Sequence, residues 1–365
     1  MTFGSHRQVA VVTGAGGQDG YFLTQLLLKD GWRVHATSRQ NSIPGFDYLP
    51  ADLKAQLSVH QIDLLRPEPM FDLIQRIQPD EFYHLAGQSS VAISFSDPLY
   101  TWQTNTEAVV NLLECIRKNS PHTRFYQASS TDMFGMPPSD KTVLNEDSAL
   151  NPQSPYASAK AAAHLLCHSY REVFGLRVAI GILSNHESHR RPASFLSRKV
   201  VEHVIGLKGL SIRQLANASP LAVGNLKVQR DWGFACDYID GMLRIMRQIK
   251  TRGELTGGPI AADEGSNYRD YVLATGEIHA VWELIDSAFR IGGFELEWNI
   301  ENDDPAVWRA DFRSSRTPAV VVNPDLLRAA DPLVIRVDPG RARKELGWAP
   351  RQGLDVFLRD MMTLH

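Results

Sequence analysis

Short runs of β-branched and aromatic residues alternate with longer amphipathic runs along the first half of the chain. The short runs, bounded by turn-forming residues, predict strands at Val9–Val12, Arg33–Thr37, Leu57–Gln61, Glu81–Leu85, Phe125–Ser129 and Leu176–Ile182. The amphipathic runs between them predict helices at Tyr21–Asp30, Phe71–Gln78, Leu99–Lys118 and Ser158–Phe174.

Strands that alternate with helices of this length are typical of βαβ units. They predict a parallel sheet that is covered by helices on both faces. The predicted fold class is therefore α/β, with a Rossmann-type doubly wound sheet. In such sheets ligands bind beyond the carboxyl ends of the strands, near the point where the strand order reverses. Functional residues are therefore expected directly after the predicted strands.

The alternation changes after about Asn185. Helical patterns at Phe195–Gly206, Asp237–Gln248 and Glu277–Phe289 are separated by loops rich in Gly and Pro and by isolated short strands. This pattern predicts a smaller α+β lobe that contributes substrate contacts. The predicted division is a dinucleotide-binding domain at 1–184 and a substrate-binding lobe at 185–365, although strands of the second part can return to the main sheet.

Composition excludes several classes of protein. The 365 residues are 43% apolar and 22% charged, with a net charge of −3, so no overall basic field favours a nucleic acid partner. No run of about 18 apolar residues predicts a membrane span, and the N-terminal run is too short for a signal peptide. Cys115, Cys167 and Cys236 lie far apart without zinc-site spacing, so we expect reduced core thiols, no metal and a cytoplasmic location.

A glycine-rich turn follows the first predicted strand. Gly14, Gly17 and Gly20 are spaced three apart, one step different from the G-x-G-x-x-G motif. Residues without a Cβ allow a tight turn and let the backbone approach a pyrophosphate, and the next helix N-terminus offers free N–H groups. The turn therefore predicts a dinucleotide site; the alternative is a turn that binds nothing.

The end of the second strand indicates which dinucleotide is bound. An NAD site usually has Asp or Glu there, on the ribose 2′-hydroxyl, whereas this chain has Ser38 and Arg39. A cation and a small polar residue suit a 2′-phosphate, so we predict NADP; the alternative is that Arg39 is a solvated surface residue. His84, in the fourth strand, is expected to be a hydrogen-bonded core residue.

Tyr156 and Lys160 lie in the segment Ser154–Lys160, which opens a predicted helix after the fifth strand. Their i, i+4 spacing puts both side chains on one helix face. A phenol with an ordinary pKa near 10 is a poor base at neutral pH. A neighbouring ammonium and the charge of an oxidised nicotinamide are expected to lower that pKa, which predicts a Tyr–Lys pair of the short-chain dehydrogenase type.

Two polar residues follow the fifth strand beside this pair. Ser130 is placed to hydrogen-bond a substrate hydroxyl, and Asp132 to act as a base or acid at the adjacent carbon. The alternative for both is a capping cluster at a strand end.

Together these residues resemble extended short-chain dehydrogenase/reductases that act on nucleotide sugars. The segment Asn185–Arg191, Asn-His-Glu-Ser-His-Arg-Arg, is similar to the Asn-His-Glu-Ser-Pro-Arg-Arg block of GDP-mannose 4,6-dehydratases. Supporting similarities run over nearly the whole chain, at Phe195–Val200, Gly224-Asn225, Arg230–Gly233, Asp237-Tyr238, Tyr271–Gly276 and Leu346–Trp348.

The resemblance implies a redox-neutral dehydration of a GDP-linked sugar beside bound NADP, in a homo-oligomer (dimer or tetramer). Tyr156 takes the C4 hydroxyl proton as hydride passes to the nicotinamide; a carboxylate then removes the C5 proton, water leaves C6, and the hydride returns there. By position, the resemblance implies catalysis by Ser130, Asp132, Tyr156 and Lys160. It implies substrate contacts from Asn185, Lys199, Arg230 and Arg328. Besides Arg39, the implied cofactor contacts come from Gly14, Ala15, Gly16, Gly17, Gln18, Asp19, Asp63, Leu64, Leu85, Ala86, Gly87, Gln88, Ser89, Tyr100, Lys160, His186 and Arg191.

Four departures from the family pattern bear on this expectation. The family's catalytic glutamate and threonine are replaced by Asp132 and Ser130, and its Arg-Arg pair after the second strand by Arg39-Gln40. The family's proline after Asn-His-Glu-Ser is replaced here by His189, and its Phe-Arg-Pro-Thr-Glu-Val-Asp segment is replaced by Leu327–Leu333. The shorter carboxylate and the altered loop put proton transfer and tetramer formation in doubt, and the sugar pocket is open to a larger sugar such as a heptose.

Two other functions remain open. One is a GDP-sugar epimerase or 4-ketoreductase on the same scaffold, and the other is a cofactor-binding protein that has lost catalysis. For Arg230 the alternative to diphosphate binding is a structural Arg–Asp pair.

Overall fold

The described part of the chain alternates strands and helices over most of its length. The computed structural model describes residues 8–253, 268–327 and 332–363. Its strands are β1 (Val9–Thr13), β2 (Arg33–Ser38), β3 (Leu57–Gln61), β4 (Glu81–His84), β5 (Arg124–Ser130), β6 (Val143–Leu144), β7 (Val178–Leu183), β8 (Asn185–Glu187), β9 (Leu221–Val223), β10 (Gln229–Arg230), β11 (Trp232–Phe234), β12 (Asp270–Leu273), β13 (His279–Ala280), β14 (Leu296–Asn299), β15 (Arg309–Phe312), β16 (Pro318–Val322) and β17 (Arg336–Val337). Its helices are α1 (Gln18–Lys29), α2 (Ala51–Lys54), α3 (Glu68–Ile77), α4 (Val91–Ser96), α5 (Pro98–Trp102), α6 (Ala108–Asn119), α7 (Pro155–Phe174), α8 (Leu196–Leu207), α9 (Ile212–Leu215), α10 (Ala235–Gly253), α11 (Val281–Gly292), α12 (Gly340–Leu346) and α13 (Leu354–Thr363). None of the helices in these ranges is long and apolar enough to cross a membrane.

The main sheet is parallel and doubly wound, as the alternating pattern predicts. Among the described residues it has seven strands in the order β3-β2-β1-β4-β5-β7-β12, and every neighbouring pair is parallel. The chain runs outward from β1 to β3 and then returns to place β4 on the other side of β1. The strand order therefore reverses between β1 and β4, where a ligand site is expected.

Both faces of this sheet are buried under helices. Successive residues of a strand point to opposite faces. Accordingly Phe82 and Phe125 join the core beneath α3, α6 and α7, while Tyr83 and Tyr126 join the core beneath α1 and α10. Burial on both faces explains why these strands are apolar without an alternating polar pattern, and it confirms the α/β prediction.

The second half of the chain contributes to two cores. Helices α8, α11 and α13 cover a four-stranded sheet of the order β14-β15-β16-β9. However, β12 pairs with β7 at the edge of the main sheet, and α10 packs on that sheet through Tyr238 and Met242. The division between residues 184 and 185 stays a prediction, because the chain crosses between the two parts more than once after that point.

The predicted long helix at Leu99–Lys118 forms as α5, a π-helical turn at Gln103–Glu107 and α6. The turn buries Asn105, whose side chain accepts a hydrogen bond from the Gln88 amide at 2.8 Å and donates to the Gln88 carbonyl at 2.8 Å. A Cβ on Gly87 would lie 2.6 Å from the Asn105 amide oxygen. The turn thus fixes the loop that follows β4, at the reversal point of the sheet.

A buried charge network joins α7 to β12. The Asp270 carboxylate accepts hydrogen bonds from Arg171 at 2.9 Å and from His168 at 2.5 Å, and it lies 3.5 Å from His164 Nε2. Burial lowers the pKa of His164 to about 4, so that ring is neutral. Burial opposes ionisation of Asp270, but His168 and Arg171 outweigh it and lower the pKa of Asp270 to about 2. The guanidinium therefore balances the carboxylate inside the core.

We expect Asp270→Ala to lower the free energy of unfolding by about 3 kcal/mol, because it leaves the Arg171 guanidinium buried without its counterion. The folded-state pKa of Asp270 lies below its ordinary value of 3.8. The carboxylate therefore contributes fully to the free energy of unfolding above about pH 5, and this contribution is lost as the pH falls towards 2. Urea denaturation at neutral and acid pH measures the loss in the variant and its pH dependence. The exposed Asp72 supplies the control, Asp72→Asn, and a variant at Asp270 as stable as this control would contradict the expectation.

Candidate active site

A large cavity opens at the carboxyl ends of the main strands. Its volume is about 1560 Å³, and its walls include the residues directly after β1, β2, β3, β4 and β5. Residues of β8, α8 and the loop before β10 complete the wall on the side of the second half. Pockets for a single drug-sized ligand rarely exceed about 1,000 Å³, so this cavity has room for two ligands side by side.

The glycine turn forms one end of the cavity. Gly14 has a φ of +67°, and a Cβ there would lie 2.8 Å from the Ala86 Cα, so the backbone approaches β4 closely. A Cβ on Gly20 would lie 2.4 Å from the Gly14 carbonyl oxygen. Helix α1 begins after Gly17 without a side-chain cap, which leaves its first N–H groups to a ligand. These features fit a dinucleotide pyrophosphate.

The residues after β2 and β3 form the rim beyond the glycine turn. The Arg39 guanidinium donates to the Tyr100 hydroxyl at 2.9 Å, and the Gln61 amide donates to the Arg39 carbonyl at 3.0 Å. Asp63 and Leu64 line the same rim. The structure therefore brings Tyr100 to the exposed Arg39 guanidinium, and Asp63 and Leu64 line the same cavity.

Two predicted cofactor residues do not line the cavity. Ala15 is fully buried, and the Gln88 side chain turns into the protein, where it donates to the Ser90 carbonyl at 2.8 Å and to Thr101 at 3.0 Å. The other predicted residues of these two loops do line the wall: Gly14, Gly16, Gly17, Gln18, Asp19, Leu85, Ala86, Gly87 and Ser89. His84 bonds to Thr13 at 2.9 Å, which confirms its expected core role.

Helix α7 presents Tyr156 and Lys160 to the cavity. The helix starts there because the Ser154 side chain accepts a hydrogen bond from the Ala157 amide at 3.1 Å, with Pro155 in the first turn. The Lys160 ammonium donates to the Ala128 carbonyl at 3.0 Å and lies 5.9 Å from the centroid of the Tyr156 ring. The two side chains share one face, as their spacing predicts.

The residues after β5 surround the Tyr156 hydroxyl. Ser130 hydrogen-bonds with it. Asp132 follows on a 3-10 turn, and its backbone amide donates to the Ser130 hydroxyl at 3.2 Å. Burial raises the pKa of Tyr156, and the Asp132 carboxylate raises it further, against smaller opposing effects of Ser130 and Arg191. Lys160 is not among the groups that lower this pKa: burial dominates, and the ammonium points to the Ala128 carbonyl. The expected lowering by Lys160 and an oxidised nicotinamide together stays a prediction. Burial also lowers the pKa of Lys160 to about 8.

Cationic residues from the second half of the chain also line the cavity. The Lys199 ammonium donates to the Ala222 carbonyl at 2.6 Å, and the Arg230 guanidinium donates to the Pro332 carbonyl at 2.8 Å. Asn185, at the start of β8, lines the same cavity. Arg328, the fourth predicted substrate residue, lies outside the described residues. The second half of the chain therefore contributes positive charge to the cavity that the glycine turn also lines.

Three predicted cofactor residues contact protein groups in the cavity wall. Asp19 and His186 form an ion pair at 2.9 Å. The Arg191 Nε lies 3.2 Å from the buried Glu187 carboxylate, and its guanidinium stacks on Phe195 at 3.7 Å. Glu187 was missed as a site residue, although its place inside the Asn185–Arg191 block was a signal that could have identified it.

The chain matches a known protein family over most of its length. The family model described as GDP-mannose 4,6 dehydratase matches residues 11–361. The chain belongs to the GDP-mannose 4,6-dehydratase family. It is 33% identical to the GDP-mannose 4,6-dehydratase of Vibrio cholerae, over 98% of this chain and 93% of that protein. It is 34% identical to GDP-mannose 4,6 dehydratase 1 of Arabidopsis thaliana, over 98% and 89%.

Solved structures agree with the fold of this GDP-mannose 4,6-dehydratase family member. One is RMD from Pseudomonas aeruginosa complexed with NADPH, with a TM-score of 0.68, 23% identity and 98% coverage of both chains. Another is dTDP-glucose 4,6-dehydratase from Bacillus anthracis in complex with NAD, with a TM-score of 0.70 and 17% identity over 97% and 95%. At these identities the likeness concerns the fold.

Family membership identifies the reaction class. The chain is a nucleotide-sugar 4,6-dehydratase, a lyase. The predicted resemblance to GDP-mannose 4,6-dehydratases, based on the segment Asn185–Arg191, is confirmed. Together with the glycine cradle, membership supports a nicotinamide dinucleotide cofactor.

Proposed function

We propose that the protein converts GDP-mannose, or a related GDP-hexose or heptose, to the GDP-4-keto-6-deoxy sugar with tightly bound NADP. The observation that carries this proposal is that Tyr156, Ser130 and Asp132 line the same cavity as the glycine turn and the cationic residues Lys199 and Arg230. A cofactor bound at the glycine turn and a diphosphate bound at the two cations would therefore share one cavity with Tyr156.

The residues around the glycine turn are proposed to hold the cofactor. The backbone of Gly14–Asp19 would bind the pyrophosphate, and Arg39 the 2′-phosphate, with the remaining rim and loop residues around the adenosine. Oxidised NADP, when bound, supplies a hydride acceptor that returns the hydride within the same turnover. Lys160, beside the Tyr156 ring, would add positive charge near the nicotinamide end.

Tyr156 is proposed to take the proton from the substrate C4 hydroxyl. Ser130 hydrogen-bonds with Tyr156 and would orient that hydroxyl. Since burial raises the pKa of Tyr156, the phenol stays protonated in the free protein, and positive charge brought by the ligands would be needed to favour the phenolate.

Asp132 is proposed to remove the proton from C5 once C4 is a ketone. The ketone acidifies that C–H bond, the electron pair forms the C5–C6 double bond, and the C6 hydroxyl leaves as water with a proton from an acid. Asn185, Lys199 and Arg230 would hold the diphosphate and sugar in register with these groups, with Arg328 proposed from the resemblance alone.

Incubation with GDP-mannose in heavy water tests this function directly. We expect the product to have lost one water, to carry deuterium at C5, and to form without net change in NADPH absorbance. No loss of water from GDP-mannose, together with stoichiometric consumption of NADPH when a GDP-4-keto-6-deoxy sugar is supplied in its place, would instead identify a 4-ketoreductase. Deuterium at C5 with the sugar retained intact would identify an epimerase.

Arg39→Ala tests the choice of NADP over NAD. Removal of one charged hydrogen-bond donor is expected to raise the Kd of NADPH by about 30-fold and to leave that of NADH nearly unchanged. Fluorescence titration with both nucleotides measures the two values. The exposed Arg213 provides a matched control, Arg213→Ala. Equal weakening of both nucleotides by Arg39→Ala would show that Arg39 does not read the 2′-phosphate.

The protein is also proposed to be a homo-oligomer, a dimer or a tetramer. Helices α5 and α7 pack side by side and expose large apolar side chains: Leu99, Trp102, Leu165 and Val173. A second copy of the chain is the occupant proposed for this face, because exposed apolar patches of this kind mark association surfaces. Sedimentation equilibrium would measure the number of chains. The cytoplasmic location stays a prediction from the cysteine content.

A further inference from the structure

The start of α1 is joined to β8 by side chains that meet across the cavity wall. The Asp19 carboxylate accepts a hydrogen bond from His186 Nε2 at 2.9 Å. Beside it, the Gln18 side-chain amide donates to the His186 carbonyl at 3.0 Å, and the Ser188 hydroxyl donates to the side-chain amide oxygen of Gln18, Oε1, at 2.8 Å. These contacts connect the glycine turn to the strand that begins with Asn185.

The hydrogen bonds of His186 identify its charge. Its Nδ1 lies 2.7 Å from the Ser184 carbonyl oxygen, which can only accept, and its Nε2 faces the Asp19 carboxylate. Both ring nitrogens therefore donate, and the ring is an imidazolium. Burial alone would lower the pKa of His186, but Asp19 outweighs it and raises that pKa. In the same way burial opposes the charge on Asp19, and His186 lowers the pKa of Asp19.

The ring of His186 is also fixed in orientation. It stacks on Tyr238 of α10, with centroids 4.6 Å apart and an interplanar angle of 17°. The Tyr238 hydroxyl in turn lies 2.6 Å from the Ser184 hydroxyl, and both side chains are buried. With the ring held in this way, the ion pair fixes Asp19 relative to β8, beside the two hydrogen bonds that Gln18 makes to the same segment.

An unpaired carboxylate at this position would oppose cofactor binding. Asp19 is the second residue of α1, next to the uncapped N–H groups at which a pyrophosphate would bind. A negative charge beside two phosphates raises the energy of the complex, whereas a carboxylate neutralised by an imidazolium does so much less. The pair therefore has an electrostatic effect as well as a geometric one.

We propose that Asp19 and His186 are positioning residues that act on each other: their partly buried ion pair, with the hydrogen bonds of Gln18 beside it, sets the distance between the dinucleotide loop and the substrate-binding strand β8. This inference rests on the proposed function, because it assigns the cofactor to the loop and the sugar to the side of Asn185. It differs from a direct role, in which each side chain would bind the cofactor separately. The two roles predict different energetics for a pair of substitutions.

A double-mutant cycle with Asp19→Ala and His186→Gln distinguishes them. Each single variant is expected to raise the Kd of NADPH by about tenfold, and the double variant by no more than about twofold beyond either one. If the tenfold losses multiply in the double variant, the two residues act independently and the proposal is overturned. Because NADPH binding needs no turnover, this result stands even if GDP-mannose is not the substrate.

A second measurement tests the positioning of β8. With NADP saturating, Asp19→Ala is expected to raise the KM of GDP-mannose by about tenfold, because the strand beginning at Asn185 shifts relative to the cofactor. An unchanged KM under that condition would overturn the positioning role. The isosteric Asp19→Asn can still hydrogen-bond to His186 Nε2 through its amide, so we expect it to recover most of the KM. If Asp19→Ala does not fold, His186→Gln removes the same ion pair and serves as the test, with the same expected rise in KM. The exposed Asp72 and His122 supply matched controls, Asp72→Asn and His122→Gln, which should bind NADPH normally.

Discussion

Tyr156→Phe is expected to lower kcat on GDP-mannose by about 1000-fold, the middle to upper part of the range for loss of a positioned proton-transfer group. The substitution removes one hydroxyl from a buried ring that already packs in the cavity wall, so the fold and the cofactor site should persist. Initial rates of water loss measure kcat, and NADPH fluorescence measures the cofactor site separately. The effect belongs to kcat because the hydroxyl acts on the reacting atom.

Two results bear on this expectation. Tyr48 is a matched control, since its side chain is 90% exposed and lies on a short 3-10 turn away from the cavity; Tyr48→Phe should keep the wild-type rate. If Tyr156→Phe kept more than about a tenth of the wild-type kcat with the same product, Tyr156 would not be the group that takes the C4 proton.

The sequence predicted the relation of Tyr156 to Lys160 but not its electrostatics. Their i, i+4 spacing is a property of any helix and needs no tertiary information. The pKa of Tyr156 depends instead on how much water the folded cavity excludes and on the proximity of Asp132, both of which are set by packing. The direction of the shift in the free protein therefore could not be obtained from the spacing.

The first five strands were predicted well because turn residues bound each run, and β1 to β5 match the predicted runs to within one residue at either end. Burial on both faces makes the pattern clearest for β1, β4 and β5. The strand at the sheet edge was harder to predict. Strand β12 is only four residues long and follows a segment without clear periodicity, so nothing in the local sequence indicates that it pairs with β7. Its place is decided by contacts with residues far away in the chain.

The Asp19–His186 pair shows the same limit at the site. The two residues are 167 positions apart, and each belongs to a segment that the resemblance connects with the cofactor. Sequence similarity assigns each segment to a ligand, but it does not show that two side chains from different segments bind each other. The contact between the two side chains depends on the orientation of the His186 ring, which Tyr238 fixes by stacking.

Asp132→Asn is expected to lower the rate of water loss by about 1000-fold and to abolish deuterium incorporation at C5, because an amide cannot accept the proton. Asp132→Glu keeps a carboxylate one methylene longer, as in the family, and should retain C5 exchange. The contrast separates charge from size, since asparagine matches aspartate in shape and glutamate matches it in charge. The exposed Asp140 lies nearby in the chain, and Asp140→Asn should behave as wild type.

Mass spectrometry of the sugar after incubation in heavy water measures the exchange for all three variants. Exchange in Asp132→Asn within about tenfold of wild type would assign proton removal to another group in the cavity. Loss of exchange in both Asp132→Asn and Asp132→Glu would mean that the reach of the side chain, and not only its charge, is set for this substrate. Ser130, which accepts a hydrogen bond from the Asp132 amide at 3.2 Å, then becomes the contact that fixes that reach, because it holds the turn on which the carboxylate sits.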